Sequence, residues 1–296
     1  MGPERPGDRT PLEMFDRAVG ALGDAPLLYC HDTPISARRV AELVDGLAGG
    51  LAGLGVGRGD RVGLFLQNDP QFVIAMLAIW RLGAIAVPCN PMLRERELRH
   101  HLDDAGARAI VALDTLYRDV VRHADLGVDV VVTTGADDLR DGARRPEAGT
   151  HDLLELAASG GAPPEPVVPD PSDVAVLTYT SGTTGPPKGA MNTHGNIAYA
   201  SRVYRDLLGI GADDVVLGIA PLYHVTGLTA HIGLSLATGA PILLAHRFDP
   251  VRAAELIERH GATVTVAAIT AYMAIAGNEE AAAHDLSSLR RAFSGG

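Results

Sequence analysis

Residues 179–189 hold the densest set of side chains able to do chemistry. They read Tyr-Thr-Ser-Gly-Thr-Thr-Gly-Pro-Pro-Lys-Gly and continue an apolar run, residues 174–179, that predicts a buried strand. The last ten of these residues contain four hydroxyl groups, three glycines and one ammonium group. Hydroxyl donors, backbone N–H groups free to converge and a positive charge are what a polyphosphate requires. We therefore predict a phosphate-binding loop at the end of the strand.

The cation of this loop, Lys188, is the only lysine in the chain. The other 24 of the 25 Lys and Arg residues are arginines. A compact ammonium group suits a small charged group handled at close range. An exposed Ser/Gly loop with a chance lysine is the alternative interpretation. The spacing disfavours a kinase or other P-loop enzyme, because Pro187 and Gly189 stand where a P-loop has its second glycine and its Ser/Thr.

The overall charge bears on the partners of the protein. With 25 Lys and Arg against 36 Asp and Glu, the net charge is −11, and this argues against a nucleic-acid partner. Cys30 and Cys89 lie far apart in apolar stretches, which favours small buried side chains over a disulfide. Residues 1–11 are polar and lack the apolar run of a secretory signal. We expect a cytoplasmic protein.

A membrane span is the other possibility to weigh, because residues 215–245 contain no Asp, Glu, Lys or Arg. The stretch is long enough to cross a bilayer. Pro221, His224, Gly227 and further Gly, His and Pro residues nevertheless divide it into pieces the length of buried strands or short helices. No integral membrane span is expected.

The elements that must position the loop follow an α/β pattern. Short apolar runs alternate with helical patterns, which predicts a largely parallel sheet covered by helices. The predicted strands are residues 61–66, 84–87, 109–112 and 129–134, and the predicted helices are residues 71–82 and 94–104. The loop then lies at the carboxyl end of a strand, where such folds bind ligands.

A Gly- and Pro-rich stretch, residues 159–171, interrupts this pattern. Such a stretch is stiff and cannot pair its backbone regularly, so it predicts a joint. We expect two α/β subdomains, residues 1–165 and residues 166–296, with the phosphate loop in the second and at their interface.

Several segments together resemble the adenylate-forming (AMP-binding) enzymes of the acyl-CoA synthetase type. Residues 179–189 are similar to nearly the whole phosphate-loop signature of that family. Residues 81–91, 220–227 and 289–296 resemble its Gly-Ala-x-x-x-Pro element, its aromatic/His pocket element and the start of its Ser-Gly-Gly-Ala-Pro element. The resemblance implies two stacked helix–sheet–helix subdomains of an N-terminal domain, truncated before its end, with the C-terminal domain absent.

The resemblance also implies a reaction. A carboxylate attacks the α-phosphate of ATP to give an acyl-adenylate and pyrophosphate, and the acyl group then passes to the thiol of CoA, with Mg²⁺ assisting. It assigns the catalytic roles to Lys188 and His224, and it places His224 beside the reacting carboxylate. A histidine packed against Tyr223 in an apolar strand end is the alternative. The residues implied to bind ATP are Thr180, Ser181, Gly182, Thr183, Thr184, Gly185, Lys188, Ser294, Gly295 and Gly296, with Thr180 and Thr184 near the metal.

The substrate is expected to be a fatty or aromatic acid. Aliphatic residues surround the His224 element and fill residues 264–275, and no acidic residue there could pair with a substrate amine. A carrier protein as acceptor and an inactive remnant acting as a binding or assembly module stay open. Because family members continue past Gly296, we expect this chain to bind nucleotide weakly and not to turn over. A homodimer stays open, since a shortened sheet exposes an apolar edge.

The remaining candidate ligands are histidines. No His-Glu-x-x-His or Cys/His ligand spacing occurs in the sequence. We therefore expect structural or exposed roles rather than metal binding for His100, His101, His194 and His231.

Overall fold

The computed structural model describes residues 9–141, 146–161, 167–180 and 186–295. They form two compact units that interleave along the chain. The first unit takes its described residues from Met1–Val40, Asn68–Pro70 and Gly195–Gly296. The second takes its described residues from Ala41–Gln67 and Gln71–His194.

The strands and helices of the described residues alternate over most of the chain. The strands are β1 Pro26–Cys30, β2 Thr33–Ser36, β3 Arg61–Phe65, β4 Ile85–Pro88, β5 Ala107–Leu113, β6 Val130–Thr134, β7 His151–Asp152, β8 Val174–Thr180, β9 Lys188–Thr193, β10 Val216–Leu217, β11 Ile242–Leu244, β12 Val264–Ala267 and β13 Arg291–Ser294. The α-helices are α1 Pro11–Leu22, α2 Ala37–Gly53, α3 Pro70–Arg81, α4 Glu95–Ala105, α5 Asp114–Asp119, α6 Asp138–Asp141, α7 Leu153–Ser159, α8 His194–Leu208, α9 Val225–Gly227, α10 Leu234–Thr238, α11 Pro250–His260, α12 Ile269–Ala276 and α13 Glu279–Ala282. A 3₁₀ turn spans Val121–His123, and a π-helical segment spans Leu228–Gly233.

The second unit is built on a sheet with the strand order β7-β6-β5-β3-β4-β8-β9. Its strands are parallel except β9, which runs antiparallel to β8. The predicted strands and helices between residues 61 and 134 are confirmed as β3 to β6, α3 and α4. Helix α3 is apolar nearly all round because it is buried, with every residue from 72 to 80 at most 1% exposed.

Strand β9 was not predicted from the sequence. Its residues, Lys-Gly-Ala-Met-Asn-Thr, form no apolar run, and most of them are exposed or half-buried. The strand exists because its backbone pairs with β8 from Val174↔Thr193 to Thr180↔Lys188. It therefore occupies the edge of the sheet, where one face and one side can meet solvent.

The first unit is built on a second sheet, with the order β13-β12-β10-β11-β1-β2. Strand β1 pairs with β11, so the N-terminal residues join a sheet formed mainly by the last hundred residues of the chain. The boundary predicted between residues 165 and 166 therefore does not separate the compact units. The proline-rich joint lies inside the second unit, because β8 pairs with β4 there. The prediction of an α/β fold with two helix-covered sheets is confirmed.

Residues 215–245 are divided into pieces, as predicted. Strands β10 and β11 flank a helical run in which α9, the π-helical segment and α10 follow one another. Helix α8 approaches this run closely, since a Cβ atom added at Gly233 would lie 1.9 Å from Ser201 Oγ. No helix within the described ranges is long and apolar enough to cross a membrane.

Both cysteines are buried thiols outside any disulfide, which confirms their prediction as small buried side chains. Cys30 is 2% exposed and Cys89 is fully buried. Burial raises the pKa of the Cys89 thiol to about 12. The thiol is therefore neutral at physiological pH and unreactive as a nucleophile.

Candidate functional site

The mouth of the predicted phosphate loop is a β-hairpin. Strand β8 runs parallel to β4, so Thr180 ends at the carboxyl edge of the sheet. Lys188 begins β9 and is the cross-strand partner of Thr180, and both side chains are exposed. Directly opposite residues of antiparallel strands lie about 4.5–5.5 Å apart at Cα. The hydroxyl group and the ammonium group therefore stand side by side where the loop leaves and re-enters the sheet.

The residues between these two strands carry most of the predicted phosphate contacts. Six of the predicted site residues lie outside the described part of the chain: Ser181, Gly182, Thr183, Thr184, Gly185 and Gly296. Their predicted roles stay predictions.

The root of the loop is held by Tyr179. Its ring stacks on the ring of His101 in α4, with 4.3 Å between centroids and 15° between planes. Its hydroxyl donates a hydrogen bond of 2.6 Å to Asp104 Oδ2, one helical turn further on. Burial, followed by the nearby Asp104 carboxylate, raises the pKa of Tyr179. The phenol therefore stays protonated and able to donate this hydrogen bond.

Gly189 explains why this ring can lie across the hairpin. Gly189 is the cross-strand partner of Tyr179, and a Cβ atom added there would lie 3.2 Å from Tyr179 Cζ and 3.4 Å from its hydroxyl oxygen. Such distances are shorter than ordinary carbon contacts of about 3.5–4.0 Å. A side chain at this position would displace the ring.

The buried part of β8 is anchored to the helix beneath it. The indole Nε1 of Trp80 in α3 donates a hydrogen bond of 2.9 Å to the carbonyl oxygen of Ala175. The Trp80 ring also meets the His194 ring edge-on, at 5.4 Å between centroids. Both side chains are buried, and burial lowers the pKa of His194 to about 4. His194 is thus a neutral packing residue, as expected for it.

A groove of about 680 Å³ lies beside the hairpin and along the first turns of α4. Its lining residues are Leu93, Arg94, Arg96, Glu97, His100, His101, Pro186 and Pro187. The ring Nε2 of His100 lies 3.1 Å from the carbonyl oxygen of Pro187, so this nitrogen carries a proton and donates. The two arginines are exposed and place positive charge next to the loop.

His224 belongs to the first unit and begins the helical run that contains α9. Its Nδ1 accepts a hydrogen bond of 3.3 Å from the N–H of Thr226, so its side chain caps the helix. The side chain is exposed, and Tyr223 beside it is half-buried. His224 is therefore not packed within an apolar strand end. Its predicted place beside a substrate carboxylate stays a prediction.

Ser294 and Gly295 lie at the end of β13, also in the first unit. Both residues are exposed. Gly295 donates a backbone hydrogen bond of 3.2 Å to Ala267, and Tyr272 Oη donates one of 2.6 Å to the carbonyl oxygen of Phe293. The structure therefore brings Thr180 and Lys188 together in one unit and places His224, Ser294 and Gly295 in the other.

The aliphatic residues around His224 serve mainly as core. Five of the six that favour a hydrophobic acid are at most 2% exposed: Leu222, Leu228, Ile232, Leu234 and Leu236. Packing within the first unit accounts for their apolar character. The exposed apolar side chains of these segments are Val225 at 43%, Ile269 at 58% and Met273 at 67%.

Sequence reasoning assigned no functional role to Asn68 or Asp104 and expected only a structural or exposed role for His101. The spacing of His101 and Asp104, three apart on a helix, places them on one face and was the available signal. The stacking of His101 on a strand residue depends on tertiary packing and left no signal in the sequence.

The donor set at the hairpin fits a polyphosphate with Mg²⁺. The Thr180 hydroxyl offers an oxygen ligand and a donor, and Lys188 offers a mobile positive charge. Both side chains are exposed and can meet a ligand.

Comparisons with known proteins identify the family of the chain. A family model described as AMP-binding enzyme matches residues 15–296. The 4-coumarate–CoA ligase 1 of Oryza sativa subsp. japonica is 32% identical over 286 residues, covering 95% of this chain and 48% of that relative. The long-chain-fatty-acid–CoA ligase of Bacillus subtilis (strain 168) is 32% identical over 269 residues, covering 81% and 47%. The chain spans about half the length of the curated relatives it matches.

Solved structures show the same architecture. An anthranilate CoA ligase in complex with anthranoyl-AMP aligns with a TM-score of 0.88 at 25% identity, covering 98% of this chain and 55% of that one. A long-chain-fatty-acid-CoA ligase from Archaeoglobus fulgidus aligns with a TM-score of 0.81 at 27% identity, covering 93% and 54%. The fold is thus that of the N-terminal domain of adenylate-forming enzymes. The chain belongs to the AMP-binding enzyme family.

Proposed function

We propose that this chain carries the ATP- and acid-binding part of an acid–thiol ligase. The reaction is the ATP-dependent activation of a carboxylic acid to an acyl-adenylate with release of pyrophosphate, followed by thioester formation with CoA. The observation that carries the proposal is the side-by-side placement of Thr180 and Lys188 at the mouth of the hairpin loop. CoA ligases among the relatives support CoA as the acceptor.

The hairpin can stabilise developing charge without large rearrangement. Negative charge grows on the α-phosphate and on the departing pyrophosphate, and fixed donors stabilise it most effectively. Lys188 starts a strand paired along its whole length, and Tyr179 is held by His101 and Asp104, so the loop leaves from a rigid base. Ser181, Gly182, Thr183, Thr184 and Gly185 would extend the donor set. Mg²⁺, when bound near Thr180 and Thr184, supplies further positive charge on the phosphates.

The residues proposed to contact the carboxylic acid substrate belong to the first unit. His224 is exposed, and its Nδ1 accepts from the Thr226 N–H, so a neutral ring carries its proton on Nε2. That N–H can donate a hydrogen bond to a substrate carboxylate. Ser294, Gly295 and Gly296 are proposed to approach the adenine.

The substrate class is a fatty or aromatic acid. The exposed side chains of Val225, Ile269 and Met273 support this, because they offer apolar surface in the segments that the family uses for its acid. Relatives named for both kinds of acid support both. The alternative of an inactive remnant is not favoured, since the relatives are ligases.

Calorimetry of Mg·ATP binding to the 296-residue chain tests the proposal. Loss of a charged hydrogen-bond partner weakens an interaction by about 1.5–3 kcal/mol, so Lys188→Ala should raise Kd by about 10- to 100-fold. Lys188→Arg keeps the charge and separates its loss from loss of the ammonium geometry. Arg39→Ala, an exposed cation in the first unit, is the matched control and should leave Kd unchanged. Equal affinity of wild type and Lys188→Ala contradicts the phosphate role.

A second assay addresses the acid. Carboxylate-dependent exchange between ATP and pyrophosphate is measured with decanoate and with 4-hydroxybenzoate as the acid, and the two rates are compared. A preference for either acid identifies the subclass. Preference for a free amino acid over both contradicts the proposed substrate class.

A further inference from the structure

Residues 218–222 connect β10 to the segment that carries His224, and they belong to no strand or helix. An irregular segment must still pair its backbone N–H and C=O groups when it is buried. Residues 218, 219, 220 and 222 are buried. The backbone N–H and C=O groups of residues 218–222 therefore need hydrogen-bond partners from elsewhere in the chain.

Three of these backbone groups bond to one side chain, that of Asn68. The Asn68 Nδ2 donates hydrogen bonds of 3.0 Å to the carbonyl oxygen of Gly218 and 2.8 Å to that of Ala220. Its Oδ1 accepts a hydrogen bond of 2.9 Å from the N–H of Leu222. Both donors of the amide and one lone pair of its oxygen are thus used by a segment about 150 residues away.

A second side chain pairs one further group, while the N–H groups of Gly218 and Ile219 donate to the carbonyl oxygens of Leu243 and Leu217. The Nε2 of His231, in the π-helical segment, accepts a hydrogen bond of 3.1 Å from the N–H of Ala220. His231 is fully buried, and burial lowers its pKa to about 4, so the ring stays neutral and able to accept. Single π-helical turns are frequent at functional sites.

Asn68 itself is held in place through its backbone. Its N–H donates 2.9 Å to the carbonyl oxygen of His246, and the His246 N–H donates 3.1 Å back to Asn68. The ring of His246 in turn lies 3.0 Å from the buried carboxylate of Asp69. Substitution of the Asn68 side chain leaves these backbone bonds available.

We propose that Asn68 is a positioning residue, which fixes the backbone of residues 218–222 and thereby orients the His224 segment for the acid substrate. The acid part of this statement rests on the proposed function. Asn68 lies two residues before helix α3, which begins at Pro70. Among the described contacts, however, its side chain bonds only to the 218–222 segment.

The chemistry of the amide explains why asparagine stands here. Two donors and an acceptor on a short side chain match two carbonyl groups and one N–H. Aspartate would keep the acceptor but turn its second oxygen toward the carbonyl oxygens of Gly218 and Ala220. Alanine would leave all three backbone groups unpaired.

Hydrogen exchange followed by mass spectrometry tests the positioning directly in the 296-residue chain. Asn68→Ala should speed exchange in peptides covering residues 218–227 by about tenfold or more, while peptides covering β12 change by less than about twofold. Asn68→Asp should act in the same direction, with less effect on the Leu222 amide that keeps its acceptor.

The matched control is Gln71→Ala. Gln71 is fully buried, and its Nε2 donates a hydrogen bond of 2.7 Å to the carbonyl oxygen of Gly135 in the second unit. This variant should speed exchange near residues 135–136 and leave residues 218–227 unchanged. Unchanged exchange of residues 218–227 in both Asn68 variants overturns the proposal, and so does a uniform rise across both units.

The acid arm uses exchange between ATP and pyrophosphate. Asn68→Ala should raise KM for the acid by about tenfold or more and leave KM for ATP within about twofold. Equal rises in both KM values, or none in either, overturn the substrate role. If the wild-type chain shows no exchange activity, calorimetry of Mg·ATP binding still tests the proposed function, and the hydrogen-exchange result decides whether Asn68 positions the segment.

Discussion

The substitution Gly189→Ala tests whether the loop base is assembled as described. The added methyl group would lie 3.2 Å from Tyr179 Cζ and 3.4 Å from Cε2 and the hydroxyl oxygen. The ring must then give way by a few tenths of an ångström. It cannot do so freely, because it stacks on His101 and its hydroxyl donates to Asp104.

The magnitude follows from two opposing terms. Inserting a methyl group into a packed contact costs about 1–3 kcal/mol. Replacing glycine by alanine in a strand returns about 0.5–1 kcal/mol of backbone entropy. The net expectation for Gly189→Ala is a loss of about 1 kcal/mol in the free energy of unfolding. With Tyr179→Ala the ring is absent, and Gly189→Ala should then stabilise by about 0.5 kcal/mol.

Urea unfolding of wild type, the two single variants and the double variant gives the coupling free energy. We expect about 1.5 kcal/mol between Gly189 and Tyr179. Gly57→Ala is the matched control in the same unit, since no atom lies within 4 Å of a Cβ added there. It should change stability by less than about 0.5 kcal/mol. Additive effects of Gly189→Ala and Tyr179→Ala, or a stabilising Gly189→Ala in wild type, would refute the reasoning.

The remaining predictions concern the buried interior. The folded-state pKa of His231 and His194 is about 4, below the free value of 6.5, so protons favour the unfolded chain. Stability should therefore be full above pH 7 and fall by about 2 kcal/mol per histidine between pH 7 and 5. His231→Gln should remove about half of this fall. Urea titrations at pH 7 and pH 5 measure the free energy of unfolding. A loss of stability in His231→Gln as large as that in wild type contradicts the prediction. Trp80→Phe removes the hydrogen bond to the Ala175 carbonyl oxygen and should cost about 2 kcal/mol in urea unfolding. A loss below about 0.5 kcal/mol would contradict the role of that hydrogen bond.

Local pattern predicted the second unit well. Strands β3 to β6 are apolar runs of strand length, and α3 is apolar on all faces, because these elements are buried in the second unit. Burial leaves a signal in composition that needs no knowledge of partners. Local pattern did not predict β9, because this strand is held by backbone pairing with β8 and carries no apolar run.

The unit boundary shows the same limit. The proline-rich stretch is a real change in local sequence, but strand partners decide which residues form a compact unit. Strand β1 pairs with β11, more than two hundred residues away, and β8 pairs with β4. Hydrogen bonds between distant strands depend on register and topology, and a short stretch of sequence specifies neither.

The sequence by itself determined the prediction of a phosphate-binding loop. The run of hydroxyls and glycines and the only lysine of the chain are read without any fold, because a phosphate demands those groups at short spacing. The tertiary structure decided how these groups are held. It placed Thr180 opposite Lys188, stacked His101 on Tyr179 and brought Asn68 to residues 218–222. Such contacts join residues far apart in the chain, so only the packed backbone specifies them.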